Sequence, residues 1–134
     1  MDLLLDTHVL LWWLEAPERL ADNVKASIAS EHRRVFVSAL SAWEIVIKVS
    51  IGKLRLQIDL EEEVERSRFE HLDVSLRHGL TVRELPLLHR DPFDRLLIAQ
   101  ARIEGLTIVT RDPRIRQYDV PVLADFGEAL IVRC

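Results

Sequence analysis

The chain has 134 residues, 49% of them hydrophobic and 30% charged, a balance that excludes disorder and a disulfide-dependent mini-protein. Its formal net charge of −4 speaks against a passive nucleic-acid-binding domain, which is usually basic. It leaves room for a carboxylate cluster neutralised by metal. The one cysteine, Cys134, can form no internal disulfide and has no zinc-ligand spacing, so a reducing cytoplasm is the expected setting.

Residues 1–134 read as a single domain, with no linker, repeat or low-complexity stretch. The apolar start is interrupted by Asp2 and Asp6 and lacks a basic leader, and no run reaches the ~18 residues of a membrane span. Leu3-Leu4-Leu5 suits a strand buried on both faces. A helical stretch through Trp12 and Trp13 ends near Pro17, and a second helix runs to about Ser30. Val35-Phe36-Val37 is the second strand. Residues 38–51 form a helix with Gly52 at its C-terminal cap, and 60–69 a charged helix that begins at Glu61-Glu62-Glu63. Leu72-Asp73-Val74 is the third strand, and residues 76–85 are helical. After a loop through His89, Asp91-Pro92 starts a helix that runs to Gly105. Strands at 106–110 and 120–123 complete an alternation of strand and helix, which predicts a parallel sheet with helices on both faces.

Ligands of such sheets bind beyond the carboxyl ends of the strands, and four acids fall there. Asp6 closes the first strand, and Glu44 lies in the first turns of the helix after the second. Asp94 opens the helix that feeds the fourth strand, and Asp112 follows that strand. Each alone has a structural explanation. Ser41-Ala42-Trp43-Glu44 fits a capping box, Asp91-Pro92-Phe93-Asp94 an N-cap with Pro at N1, Asp112-Pro113 a turn, and Asp6 an Asx turn. Capping does not explain their convergence. Clustered carboxylates repel and raise one another's pKa unless a cation lies between them. Oxygen ligands select Mg²⁺ or Mn²⁺, and such ions suit phosphodiester hydrolysis without a protein nucleophile.

The segments Leu3-Leu4-Leu5-Asp6-Thr7-His8 with Trp12, Ser41-Ala42-Trp43-Glu44, His89-Arg90-Asp91-Pro92-Phe93-Asp94-Arg95 and Val109-Thr110-Arg111-Asp112 together resemble the PIN-domain family. More narrowly, they are similar to the VapC-type toxins of bacterial toxin–antitoxin pairs. The resemblance covers essentially the whole chain. It implies an α/β/α sandwich with a five-stranded parallel sheet of order 3-2-1-4-5, and an endoribonuclease dependent on Mg²⁺ or Mn²⁺. It further implies that Asp6, Glu44, Asp94 and Asp112 are the metal-site and catalytic acids, with Thr7 and Thr110 in support. A homodimer and a cognate antitoxin are the partners it implies, beside the RNA substrate.

Other residues carry weaker readings. Asp91 is first an N-cap and second an outer support of the site. Arg95, Arg111 and Lys48 are candidate RNA contacts, Arg95 and Arg111 preferred because they adjoin proposed ligands. Arg114 and Arg116 read as solvated surface, and Lys53 and Arg55, beyond Gly52, are further candidates to face substrate with nothing in the sequence fixing their direction. His8 and His89 read as structural, since a metal removes the need for imidazole acid–base chemistry. Trp12, Trp13 and Trp43 read as core or interface anchors. A phosphorylatable signalling module would need an acidic pair at the first strand and an acceptor Asp after the third, and a phosphatase an Asp where His8 stands. The remaining alternative is a catalytically silent PIN-like binding module.

Overall fold

Leu3, Leu4 and Leu5 form β1 (Leu3–Leu5) and are all fully buried, because alternate side chains of a strand enter opposite layers. The computed structural model, which describes residues 1–124 and the backbone of 132–133, sends Leu3 and Leu5 into one core and Leu4 into another. The same division holds in β2 (Val35–Ser38), with Val35 and Val37 on one side and Phe36 on the other. It holds again in β4 (Thr107–Thr110), where Val109 opposes Ile108.

The first core packs against α1 (Thr7–Glu15), α2 (Asp22–Ala29), α3 (Ala39–Ser50) and α4 (Leu60–Arg66) through Val9, Val24, Ile45 and Val64. The second packs against α6 (Pro92–Glu104) through Leu97, Ile98 and Ala101, with α5 (Leu76–Thr81) beside α6. The sheet adds β3 (Glu70–Leu72) and β5 (Val122–Ala124) to give five parallel strands in the order 3-2-1-4-5, between helical layers as expected. A short antiparallel strand, β6 (Val132–Arg133), extends the edge beyond β5. The lone thiol, Cys134, lies outside the described residues.

Several boundaries differ from the sequence reading. Strand β3 lies two residues earlier than Leu72-Asp73-Val74, in register with Phe36–Ser38. As an edge strand it is set by ladder pairing and by the Arg34–Glu70 ion pair, not by apolar content, and Val74 is exposed. Helix α4 stops at Arg66 because Arg68 turns into the left-handed region, φ 61°. Strand β5 begins only after Pro121, which has no N–H to give to a ladder. Gly52 and Gly105 take φ of 78° and 69° just past α3 and α6, the conformation that closes a helix at least cost in glycine.

Candidate active site

The carboxyl ends of β1, β2 and β4 meet the first turns of α1, α3 and α6 at one cleft of about 120 Å³, lined by Asp6, Glu44, Asp91, Asp94 and Asp112 together with Thr7, His8, Lys48 and Arg114. The four acids singled out from the sequence thus converge from four separate segments. A buried bridge keeps the helices of Glu44 and Asp94 in place. Gln100 of α6 accepts the Ser38 hydroxyl at 2.7 Å and donates to the Asp73 carbonyl at 3.2 Å.

Asp6 caps α1, its Oδ1 accepting the Val9 N–H at 2.8 Å, while Oδ2 accepts the Thr110 hydroxyl. Burial pushes its carboxyl up to about 6, against the opposing hydrogen bonds from Thr110 and Val9, and Glu44 and Asp112 add to the rise. Thr110 Oγ1 also accepts the Asp112 N–H at 3.0 Å, so one hydroxyl couples the acids after β1 and β4.

Glu44 is buried and accepts the Thr7 hydroxyl at 2.6 Å, with Lys48 one helical turn on at 3.0 Å. The capping-box reading of Ser41 and Glu44 is corrected here. Ser38 is the N-cap, accepting the Leu40 N–H at 3.1 Å, and Ser41 is buried inside the helix. The strand runs directly into α3, so the cap lies at the strand's last residue, and the Glu44 side chain is left to the cleft.

Asp91 caps α6 as expected, accepting the N–H of Phe93 at 2.8 Å and of Asp94 at 3.3 Å behind Pro92. Asp94 is pushed up to about 7, first by burial, then by Asp91 and Asp6, against the pull of His89. Asp112 behaves differently. Burial raises it, but hydrogen bonds from the Arg114 side chain and backbone, and the charge of Arg114, outweigh that and hold it below the ordinary carboxylate range.

His89 belongs to the site, against the purely structural role expected from the sequence. It is buried, and its Nε2 lies 2.7 Å from Asp94 Oδ2 and 3.1 Å from Asp112 Oδ2. Its Nδ1 accepts the Asp91 N–H at 3.4 Å, which makes Nε2 the donor nitrogen, between the two acids. The Tyr118 hydroxyl fixes the His89 backbone, accepting its N–H at 2.8 Å. Only tertiary structure brings Tyr118 and Asp112 to His89; the available sequence signal is its place two residues before a helix cap. His8 is exposed on the cleft rim.

The basic candidates separate. Lys48 and Arg114 line the cleft. Arg111 stacks over Trp12, its guanidinium carbon 4.0 Å from the ring centroid. Arg95 does not face the acids. Its guanidinium donates to the carbonyls of Val82, Leu85, Pro86 and His89 and to the Tyr118 hydroxyl, because its position on α6 faces the 82–89 loop. Trp12 and Trp13 are half-buried, whereas Trp43 is 60% exposed and meets Phe93 edge-on at 5.5 Å.

Ligand atoms of His89, Asp94 and Asp112 lie within 4.8 Å of one another. The carboxylate oxygens suit a hard divalent cation, while the Nε2 proton of His89 makes that residue a hydrogen-bond partner of the acids. Burial together with neighbouring acids raises the proton affinity of Asp6 and Asp94.

The PIN-domain family profile matches residues 3–121. Ribonuclease VapC22 of Mycobacterium tuberculosis is 34% identical over 124 residues, covering 88% of this chain and 92% of that protein. Two solved structures share the fold. VapBC2 of Rickettsia felis bound to a promoter DNA fragment has a TM-score of 0.66 at 17% identity, over 87% of this chain and 92% of that one. DNA-bound VapBC of Salmonella typhimurium has 0.58 at 19%, over 87% and 91%. No described helix is long and apolar enough to cross a membrane. The chain belongs to the PIN-domain family.

Proposed function

We propose that the protein is a metal-dependent endoribonuclease, one PIN-like domain over residues 1–134 that acts in the cytoplasm as the toxin of a toxin–antitoxin pair. The observation that carries this reading is the convergence of Asp6, Glu44, Asp94 and Asp112 in one cleft. Similarity to a ribonuclease over most of the chain supports the substrate class.

In this reading the four acids hold Mg²⁺ or Mn²⁺. Such an ion supplies Lewis acidity toward the phosphodiester and activates water at neutral pH. The protein's own groups prepare the site. Thr7 and Thr110 each hydrogen-bond one oxygen of Glu44 and of Asp6 and so hold both carboxylates in the cleft wall. His89 holds a proton at Nε2 between Asp94 and Asp112, orienting both as a hydrogen-bonded neighbour does for a ligating carboxylate. Lys48 and Arg114 in the cleft wall, with Arg111 stacked on Trp12 beside Asp112 in the chain, meet phosphates flanking the scissile bond and offset the acidic total.

Protein partners fit the surface. Trp43 and Val46 on α3, Ile51 just past it, Leu76 at the start of α5 and Leu87 in the loop before α6 are each at least 60% exposed, and exposed apolar side chains mark interfaces where they cluster. A second copy of the chain and an antitoxin are the proposed occupants.

The test is cleavage of a structured RNA pool with Mg²⁺ or Mn²⁺, comparing wild type, Asp94→Asn and wild type with EDTA. Cleavage that needs both the metal and Asp94 is the expected result. Metal binding without cleavage of any RNA would instead identify a binding module.

A further inference from the structure

At the amino ends of β2 and β3, away from the carboxylates, lies a cleft of about 470 Å³. Trp13 lines it from α1, Arg33 from just before β2, and Ser67, Arg68 and Phe69 from between α4 and β3. Nothing in the nuclease reading uses these residues.

Two neighbouring arginines show what distinguishes the cleft. Arg34 gives Nε and Nη2 to the Glu70 carboxylate and lies over the Phe36 ring, so its charge is answered within the fold. The Nη1 of Arg33 is buried and has no hydrogen-bond partner among the described residues. Buried donors on charged groups are rarely left unmade, because their desolvation is not recovered.

Arg68 supplies a second, independent sign. It closes α4 in the left-handed region, with its N–H on Glu65 O at 3.0 Å and the Phe69 N–H on Val64 O at 3.2 Å. Glycine closes a helix this way with less strain. An arginine here strains the backbone and adds a second basic side chain to the cleft wall. Backbone strain of this kind persists where a side chain has a use.

The aromatic wall is fixed as well. The Trp13 indole N–H donates to Ser67 Oγ at 3.3 Å, and its ring lies 6.0 Å from that of Phe69. Two basic side chains beside a fixed indole match a phosphate joined to a planar ring, and the volume suits a small ligand. Glu31 also lines the cleft, leaving the wall net positive. We propose that this cleft binds a nucleoside monophosphate, the phosphate on Arg33 and Arg68 and the base against Trp13, as a site separate from the carboxylates.

The experiment is calorimetric titration of the protein in EDTA with adenosine monophosphate, inorganic phosphate and a glutamate-rich peptide. Wild type and Asp94→Asn should both bind the nucleotide, more tightly than phosphate. Arg68→Gly should raise the melting temperature yet weaken nucleotide binding about tenfold, as loss of a charged hydrogen bond does. Arg33→Gln, shown to be folded by circular dichroism, should weaken it equally. No nucleotide binding at millimolar concentration would overturn the proposal, as would affinity unchanged in Arg68→Gly and Arg33→Gln. Equal affinity for phosphate and nucleotide would remove the role of the indole and overturn the nucleotide assignment. Preference for the acidic peptide would reassign the cleft to a protein partner.

Discussion

Asp6 and Asp112 follow adjacent parallel strands and share the Thr110 hydroxyl, yet their electrostatics are opposite. Asp6 is buried among neutral donors and other acids, and its carboxyl is driven up to about 6. Asp112 has Arg114 on both oxygens, at 3.2 and 3.3 Å, and is held low. A carboxylate that already has a resident cation satisfies the fold; one that lacks it is strained until a cation arrives. Asp94, pushed up to about 7, resembles Asp6. The Asp6–Asp94 side of the cleft is therefore where a metal would gain most.

The largest effects should come from that side. Asp6→Asn should lower cleavage by roughly a hundredfold to a thousandfold, the scale for losing a central electrostatic group. The metal-free protein should at the same time become more stable. Because the folded pKa of Asp6 is raised, its destabilising contribution sets in as pH rises from about 4 through 6 and is absent below that window. Ionising a carboxyl held near 6 instead of about 4 costs the fold on the order of 3 kcal/mol at neutral pH. The Asn variant should therefore melt several degrees higher than wild type at pH 7.5 in EDTA, and close to it at pH 4. A melting series across pH checks both halves.

Next is the residue that joins the two kinds of acid. His89→Gln should reduce cleavage about 10–100-fold, the range for hydrogen-bonded partners of metal ligands, with the protein still folded; steady-state kinetics with circular dichroism would test this. The smallest effect belongs to the resident cation. Arg114→Ala should change kcat by less than about fivefold, since exposed ion pairs are weak. It should also raise the pKa of Asp112, visible as a displacement of its carboxyl titration in NMR, and so make Asp112 behave more like Asp6.

Much of this was legible in the sequence because it rests on local pattern. The apolar run of β1, the Asp91-Pro92 cap and the glycines after α3 and α6 each signal structure within a few residues. The four acids were legible because a parallel sheet sends every strand's carboxyl end the same way. Pairing in space was not legible. Nothing near His89 announces Tyr118 or Asp112, and nothing near Arg95 shows that its guanidinium closes the 82–89 loop instead of facing RNA. The edge strand β3 was misplaced for the same reason, since its register comes from β2 and not from its own residues.

The most direct measurement is a calorimetric titration of Mn²⁺ into wild type and Asp94→Asn at pH 7.5. The account predicts binding by wild type, with a rise in melting temperature, and little or none of either in the variant. Equal binding by both proteins would contradict it, and would return Asp94 to the role of an acid in the first turn of a helix.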